Sequence, residues 1–153
     1  MGSTVAKTIF HSTTTETIDI NGVKQQAIRK LSETPVTDYS HRILTAAANQ
    51  TSTLLSFGAN NAGGQVSADE ISYVRISNLD DSSSVRLVIN MVDASNGSFH
   101  IELPALKSHM VCTKSSAIVP QGQDFAAYGT IANIQVVTPA SSSVDIELFL
   151  VSK

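Results

Sequence analysis

From Val85 to Met91 the chain reads Val-Arg-Leu-Val-Ile-Asn-Met, and from Val144 to Leu150 it reads Val-Asp-Ile-Glu-Leu-Phe-Leu. In the first stretch Val85, Leu87, Ile89 and Met91 recur at every second position. In the second, Val144, Ile146, Leu148 and Leu150 do the same. Successive side chains leave an extended chain on opposite sides, so a period of two marks a strand with one face in a core. Phe99, Ile101 and Leu103 alternate with His100 and Glu102 in the same way. The pattern predicts Leu87, Ile89, Ile101, Ile146 and Leu148 as core, with Asp145 and Glu147 facing the other way.

Working outward, a three-residue loop Ser95-Asn96-Gly97 pairs Met91 with Ile101 and Ile89 with Leu103. That register keeps the apolar faces together and gives Gly97 the left-handed loop position. A strand from Ile131 to Thr138 is expected to form a hairpin with the final strand through the loop Pro139 to Ser143. It would set Val136 against Ile146 and Ile134 against Leu148. Further strands read at Ile71 to Asn78, Lys107 to Thr113, Arg42 to Ala48 and Ser52 to Phe57. Asp80-Asp81-Ser82-Ser83 reads as a polar turn and Gly58 to Gly64 as a loop. Nearer the N-terminus, Asn21-Gly22 predicts a two-residue turn that pairs Ile20 with Val23 and Asp19 with Lys24. Gln25 to Leu31 fits either a strand or a helical turn. There is no sustained helical pattern and no internal repeat.

These elements predict an all-β fold: an antiparallel β-sandwich, a jelly-roll-like single domain over residues 16–153. Residues 1–15 read as an N-terminal arm. The arm holds Val5, Ile9 and Phe10 without a partner strand inside it. Adding it to a neighbour's sheet would make these three residues inter-subunit contacts; pairing within its own sandwich is the alternative.

Composition narrows the classes. A chain of 153 residues suits one domain with a core that needs neither disulfide nor metal. Charged residues make up 15%, while 21 Ser and 14 Thr supply most of the polar surface, a balance that suits strands and turns. The net charge is −3 and the ten basic residues are scattered, which argues against nucleic acid as a partner. No apolar run approaches the ~20 residues of a membrane span. Met1 to Phe10 lacks the pattern of a secretory signal, so synthesis in the cytoplasm is the simplest expectation. The single cysteine, Cys112, excludes a disulfide within the chain and a Cys-rich zinc site. A mean hydropathy of +0.08 with so few charges points to buried subunit contacts.

Candidate chemistry is thin. His11, His41, His100 and His109 form no metal-ligand spacing. His100 and Glu102 share one strand face that His109 could approach, but an exposed face ordinarily carries such residues. Asp80, Asp81 and Asp93 lack the spacing of a calcium loop. No Gly-x-Ser-x-Gly elbow exposes a serine, and Cys112 lies in the apolar stretch Met110-Val111-Cys112, as a core thiol would. Asn49-Gln50-Thr51 and Asn96-Gly97-Ser98 match the glycosylation sequon by chance in so hydroxyl-rich a chain. The Gly58 to Gly64 stretch lacks the Lys-Ser/Thr ending of a phosphate loop. No residue is assigned to catalysis, to a metal or to a cofactor.

The stretch Ile71-Ser-Tyr-Val-Arg-Ile-Ser-Asn-Leu-Asp-Asp81, followed by Val85-Arg-Leu-Val-Ile-Asn90, resembles small virion structural proteins of tailed bacteriophages, marine ones especially. The likeness continues at Phe99-His-Ile-Glu-Leu-Pro104 and at Val144-Asp-Ile-Glu-Leu-Phe-Leu-Val151. It is a likeness of pattern and brings no catalytic residues. It implies a non-enzymatic capsid decoration (cement) subunit, located in the virion, with the major capsid or other virion proteins as partners. It also implies a homo-oligomer, a trimer being favoured. A neck, tail or fibre component is the alternative within that class. A carbohydrate-binding module is a second class, weakened by the absence of Trp and by having only Tyr39, Tyr73 and Tyr128 as tyrosine platforms. The strand pattern makes a first prediction. Far-UV circular dichroism gives a β spectrum with little helix; a helix content above about a third would contradict the period-two reading.

Overall fold

The structure, a computed structural model, describes residues 8–58, 66–67, 70–92, 97–112, 131–139 and 141–152, with backbone alone at 111 and 112. Among the described residues ten strands are formed: β1 (Thr8–Ile20), β2 (Val23–Val36), β3 (Asp38–Ala46), β4 (Thr51–Ser56), β5 (Ile71–Asn78), β6 (Val85–Met91), β7 (Ser98–Leu103), β8 (Ser108–Cys112), β9 (Ile131–Val137) and β10 (Val144–Ser152). The chain divides into two units, Met1–Asp38 and Tyr39–Ser152.

In the second unit the strands lie in two four-stranded sheets, ordered β3-β10-β5-β8 and β4-β9-β6-β7. Four pairings define the winding: β3 with β10, β4 with β9, β5 with β8, and β6 with β7. They describe one long antiparallel ribbon whose two legs run β3 to β6 and β7 to β10. The ribbon folds over so that β10 also pairs with β5 and β9 with β6. That is the jelly-roll arrangement. Where the ribbon crosses from one sheet to the other, its legs stay hydrogen-bonded. Asn49 N donates to Pro139 O at 2.9 Å and Thr138 N to Gln50 O at 3.1 Å. At the second crossing Asn78 N donates to Lys107 O at 2.9 Å and Leu106 N to Asp80 O at 3.0 Å. Backbone groups that leave one ladder therefore find partners before joining the next.

The core lies between the sheets. Leu87, Ile89, Ile134, Val136, Ile146 and Leu148 are buried in it, with Ile101 partly buried against it. Asn78, 1% exposed, is the polar exception at the second crossing. Its Nδ2 donates to Ser83 O at 2.8 Å and to Leu103 O at 3.1 Å, and its Oδ1 accepts from Asp80 N at 3.0 Å. One amide thus joins the end of β5, the following turn and the end of β7. Asp80 closes that turn by accepting from Ser82 N at 2.9 Å and Ser83 N at 2.6 Å. Those two backbone donors hold its carboxyl below the usual range.

Two expectations need correction. First, β9 and β10 form no hairpin. They lie in different sheets, and their apolar residues meet across the core instead of side by side. Second, β6 pairs with β7 in a register displaced from the expected one: Leu87 stands opposite Ile101 and Ile89 opposite Phe99. The reason is Pro104. The expected register would place it opposite Val88 inside the ladder, where it has no N–H to give; the observed ladder ends at Leu103. The displacement is even, so every side chain keeps its face. Gly97 takes the left-handed conformation (φ 74°), and Ser95 and Asn96 lie outside the described residues. The division into the two units falls at Asp38. Phe10 to Thr15 pair with Ile28 to Glu33 as the outer part of a long hairpin. Its register is set at the tip, where Asn21 (φ 53°) and Gly22 (φ 80°) make the expected turn and pair Ile20 with Val23 and Asp19 with Lys24. Pairing carries Gln25 to Leu31 into a strand.

Truncating Ile146 or Leu148 to Ala will cost about 2–5 kcal/mol, as for other large-to-small core changes. Asn78→Ala will cost about 1–3 kcal/mol, because two buried carbonyls lose their donor. Denaturant unfolding measures each; unchanged midpoints would contradict the assigned core and crossing.

Candidate functional site

The hairpin is the site the expected arm residues lead to. β1 and β2 form a two-stranded sheet and, among the described residues, pair only with each other. Val5 lies outside the described residues, Ile9 is 52% exposed and Phe10 is half-buried. The larger apolar feature is at the tip. Ile20 stands opposite Val23, and Ile18 lies two residues along on the same face. These three are 54%, 61% and 55% exposed respectively, and Ile28 on the opposite face is 55% exposed. Alternation usually assigns such residues to a core, so their spacing alone does not reveal them as surface. The informative signal is that Ile18 and Ile20 align with Gln25 and Val23 in a ribbon that Asn21-Gly22 closes on itself.

A ribbon of this kind is poorly supplied with burial. Strands of 13 and 14 residues, at about 3.3 Å per residue, run to roughly 40 Å. Nearly all of their residues are exposed. A two-stranded hairpin alone is marginal in water and needs further strands or packing. What the hairpin offers chemically is strand edges, apolar side chains and charge, which are the means of binding.

The second unit carries a denser polar cluster on the outer face of the β3-β10-β5-β8 sheet. His41 Nε2 lies 2.8 Å from Glu147 Oε1, and an Arg75 guanidinium nitrogen lies 2.9 Å from Glu147 Oε2. The Phe149 ring packs beside the His41 and Arg75 side chains, with the Arg75 guanidinium carbon 5.9 Å from its centre. Tyr73 meets the same ring edge-on at 6.1 Å and donates to Met110 Sδ at 3.4 Å. Partial burial pushes the Glu147 carboxyl up, but the His41 hydrogen bond, the Arg75 charge and the Ser77 hydroxyl outweigh it and leave it below the usual range. Every strong group here is engaged by another, so the cluster reads as a bracing of the sheet face.

The residues weighed as metal ligands are not brought together. His100 and Glu102 share the outward face of β7 and line an open hollow with Arg86. His109 lies on β8, in the other sheet, opposite the core residue Ile76. Burial there lowers its pKa. Among the described residues no three His, Cys, Asp or Glu side chains are placed to hold a metal ion. Asp80 and Asp81 line a hollow with Asp145, while Asp93 lies outside the described residues, as do the Cys112 side chain, residues 59–64 of the glycine-rich loop and Tyr128. Tyr39 is exposed, whereas Tyr73 is buried. No helix of the described residues is long and apolar enough to cross a membrane.

Comparison of the chain with protein-family models, with curated proteins and with solved structures gives no match.

Two of the lowered pKa values, those of His109 and Glu147, set a pH prediction. A depressed folded-state value means stability present above the unfolded value and lost as pH falls through the folded one. For His109 the loss starts near its ordinary 6.5, and for Glu147 near its ordinary 4.5. Melting temperature against pH will therefore fall in two stages. His109→Gln removes the upper stage and Glu147→Gln diminishes the lower, to which Asp80 also contributes; a profile unaltered by either change would contradict the assignment.

Proposed function

We propose that the chain is a non-enzymatic structural subunit of a bacteriophage particle, a decoration subunit that stabilises the head shell. The observation that carries this reading is the long hairpin Thr8–Val36, whose apolar tip residues Ile18, Ile20 and Val23 the chain leaves exposed. Exposed apolar clusters on extended strands mark contact surfaces. The jelly roll is compatible with the reading without choosing it, since the architecture serves viral capsid domains, lectins and cupins alike.

In this reading the two units divide the labour. The sandwich buries its own core and keeps the subunit folded before assembly. The hairpin gives strand edges and apolar side chains to neighbouring copies and to the major capsid protein. A subunit that binds only the assembled shell stabilises that shell by mass action, more so the further its concentration exceeds its dissociation constant. The low charge and the Ser- and Thr-rich surface suit a protein held in a lattice.

Purified particles of the phage that encodes the chain test the reading. The chain is expected at fixed stoichiometry in banded virions, with antibody label spread over the head. Particles made without it are expected to assemble but to rupture at lower temperature. Absence from purified particles would overturn the reading, and label confined to the tail junction would replace the head assignment with a neck component.

A further inference from the structure

The two edges of the hairpin differ in charge. β1 carries Glu16 and Asp19 and no Lys or Arg; β2 carries Lys24, Arg29 and Lys30 against Glu33 alone. Among the described residues, Glu16, Lys24, Arg29 and Lys30 have no ionic partner within the chain. Because the sheet has two strands, each strand also has an outer edge of backbone donors and acceptors, from His11 to Ile20 on one side and from Val23 to Ser32 on the other.

We propose that the occupant of this surface is a second copy of the same chain: the acidic β1 edge of one hairpin pairs with the basic β2 edge of the next, head to tail, and the succession closes into a ring. The inference rests on reading the hairpin as an assembly element and names what it assembles with. Three observations converge on it. One hairpin lacks the strands needed to stabilise it, and a neighbour's hairpin supplies them. The edges are complementary to each other and not to themselves: β1 against β1 would set Glu16 and Asp19 near the same charges of the neighbour. Complementarity between two different edges of one molecule makes a heterologous contact, which closes as a ring if the rotation permits. Hairpins side by side in one sense also bring β1 and its neighbour's β2 together antiparallel, continuing the ladder already present. Closure removes both free edges and brings the exposed tips, with Ile18, Ile20 and Val23, next to one another.

The test uses the full-length protein in solution, measured by light scattering after size exclusion over a concentration series. Circular dichroism of thermal unfolding reports whether the sandwich remains folded. Glu16 stands opposite Ala27, Arg29 opposite Thr14 and Lys30 opposite Thr13, so these three can be reversed without setting like charges directly opposite each other inside one hairpin. Asp19 and Lys24 face each other and are left alone. The wild-type protein is expected to form a ring of at least three copies. Glu16→Lys, and separately Arg29→Glu with Lys30→Glu, are each expected to weaken association on the order of tenfold, with the sandwich transition unmoved. All three substitutions together exchange the sign at position 16 on one edge and at positions 29 and 30 on the other, with Asp19 and Lys24 kept, and are expected to recover association relative to either variant alone. A monomer at every concentration, a two-fold dimer, association indifferent to the substitutions, or a triple variant as weak as the others would each overturn the proposal. The outcomes separate it from the particle reading. A ring whose chain is absent from virions sinks only that reading, and a monomer that still binds particles sinks only this one.

Discussion

A sheet with one apolar face is stable only when that face is covered, and in the second unit each four-stranded sheet covers the other. Everything else there serves that burial. The period of two puts Leu87 and Ile89 on one side of β6 and Arg86 on the other, and a slip of one residue would exchange them. The ribbon winding brings the two inner faces together while its legs remain hydrogen-bonded through both crossings. Asn78 is buried at one crossing because three polar groups, two from the turn after β5 and one from the end of β7, converge on it. Its amide is satisfied, and so is the backbone it serves.

The hairpin obeys the same local rules without the cover. Its turn sets the register and its alternation is regular, yet neither face meets enough apolar surface to bury Ile18, Ile20, Val23 or Ile28. Segments with few buried contacts and exposed backbone hydrogen bonds open most easily. Such a segment gains most from a partner, because association satisfies an edge and covers an apolar face together. In the proposed assembly this deficit of the free subunit is what a neighbour supplies, and the charge difference between the two strands would select which edge meets which.

Strand positions were largely legible in the sequence: Ile71–Asn78 and the Asn21-Gly22 turn stand where their residues predict. Sheet membership was not. A period of two says which face of Ile134 or Ile146 turns inward, but both inner faces of a sandwich look alike, so β9 and β10 read as neighbours when they lie across the core. The β6–β7 register was misread for a related reason. Several even registers join apolar to apolar, and Pro104 is the residue that discriminates between them. Of the hairpin's apolar residues, Ile9 and Phe10 stand out in the sequence because the segment around them holds no partner strand of its own. Ile18, Ile20 and Val23 were hidden because good alternation is the signature of a core, and nothing local says that a face has no second sheet to meet. The Glu147 cluster was out of reach, since it joins His41, Arg75 and Glu147 from three strands distant in the chain.

Amide hydrogen exchange, compared between the dilute free subunit and the assembled state, bears most directly on the hairpin as an intermolecular element. Outward-pointing amides between His11 and Ile20 and between Val23 and Ser32 should exchange quickly in the free subunit and become protected on assembly, while β5, β6 and β10 stay protected throughout. Hairpin amides with the same protection in both states would contradict it.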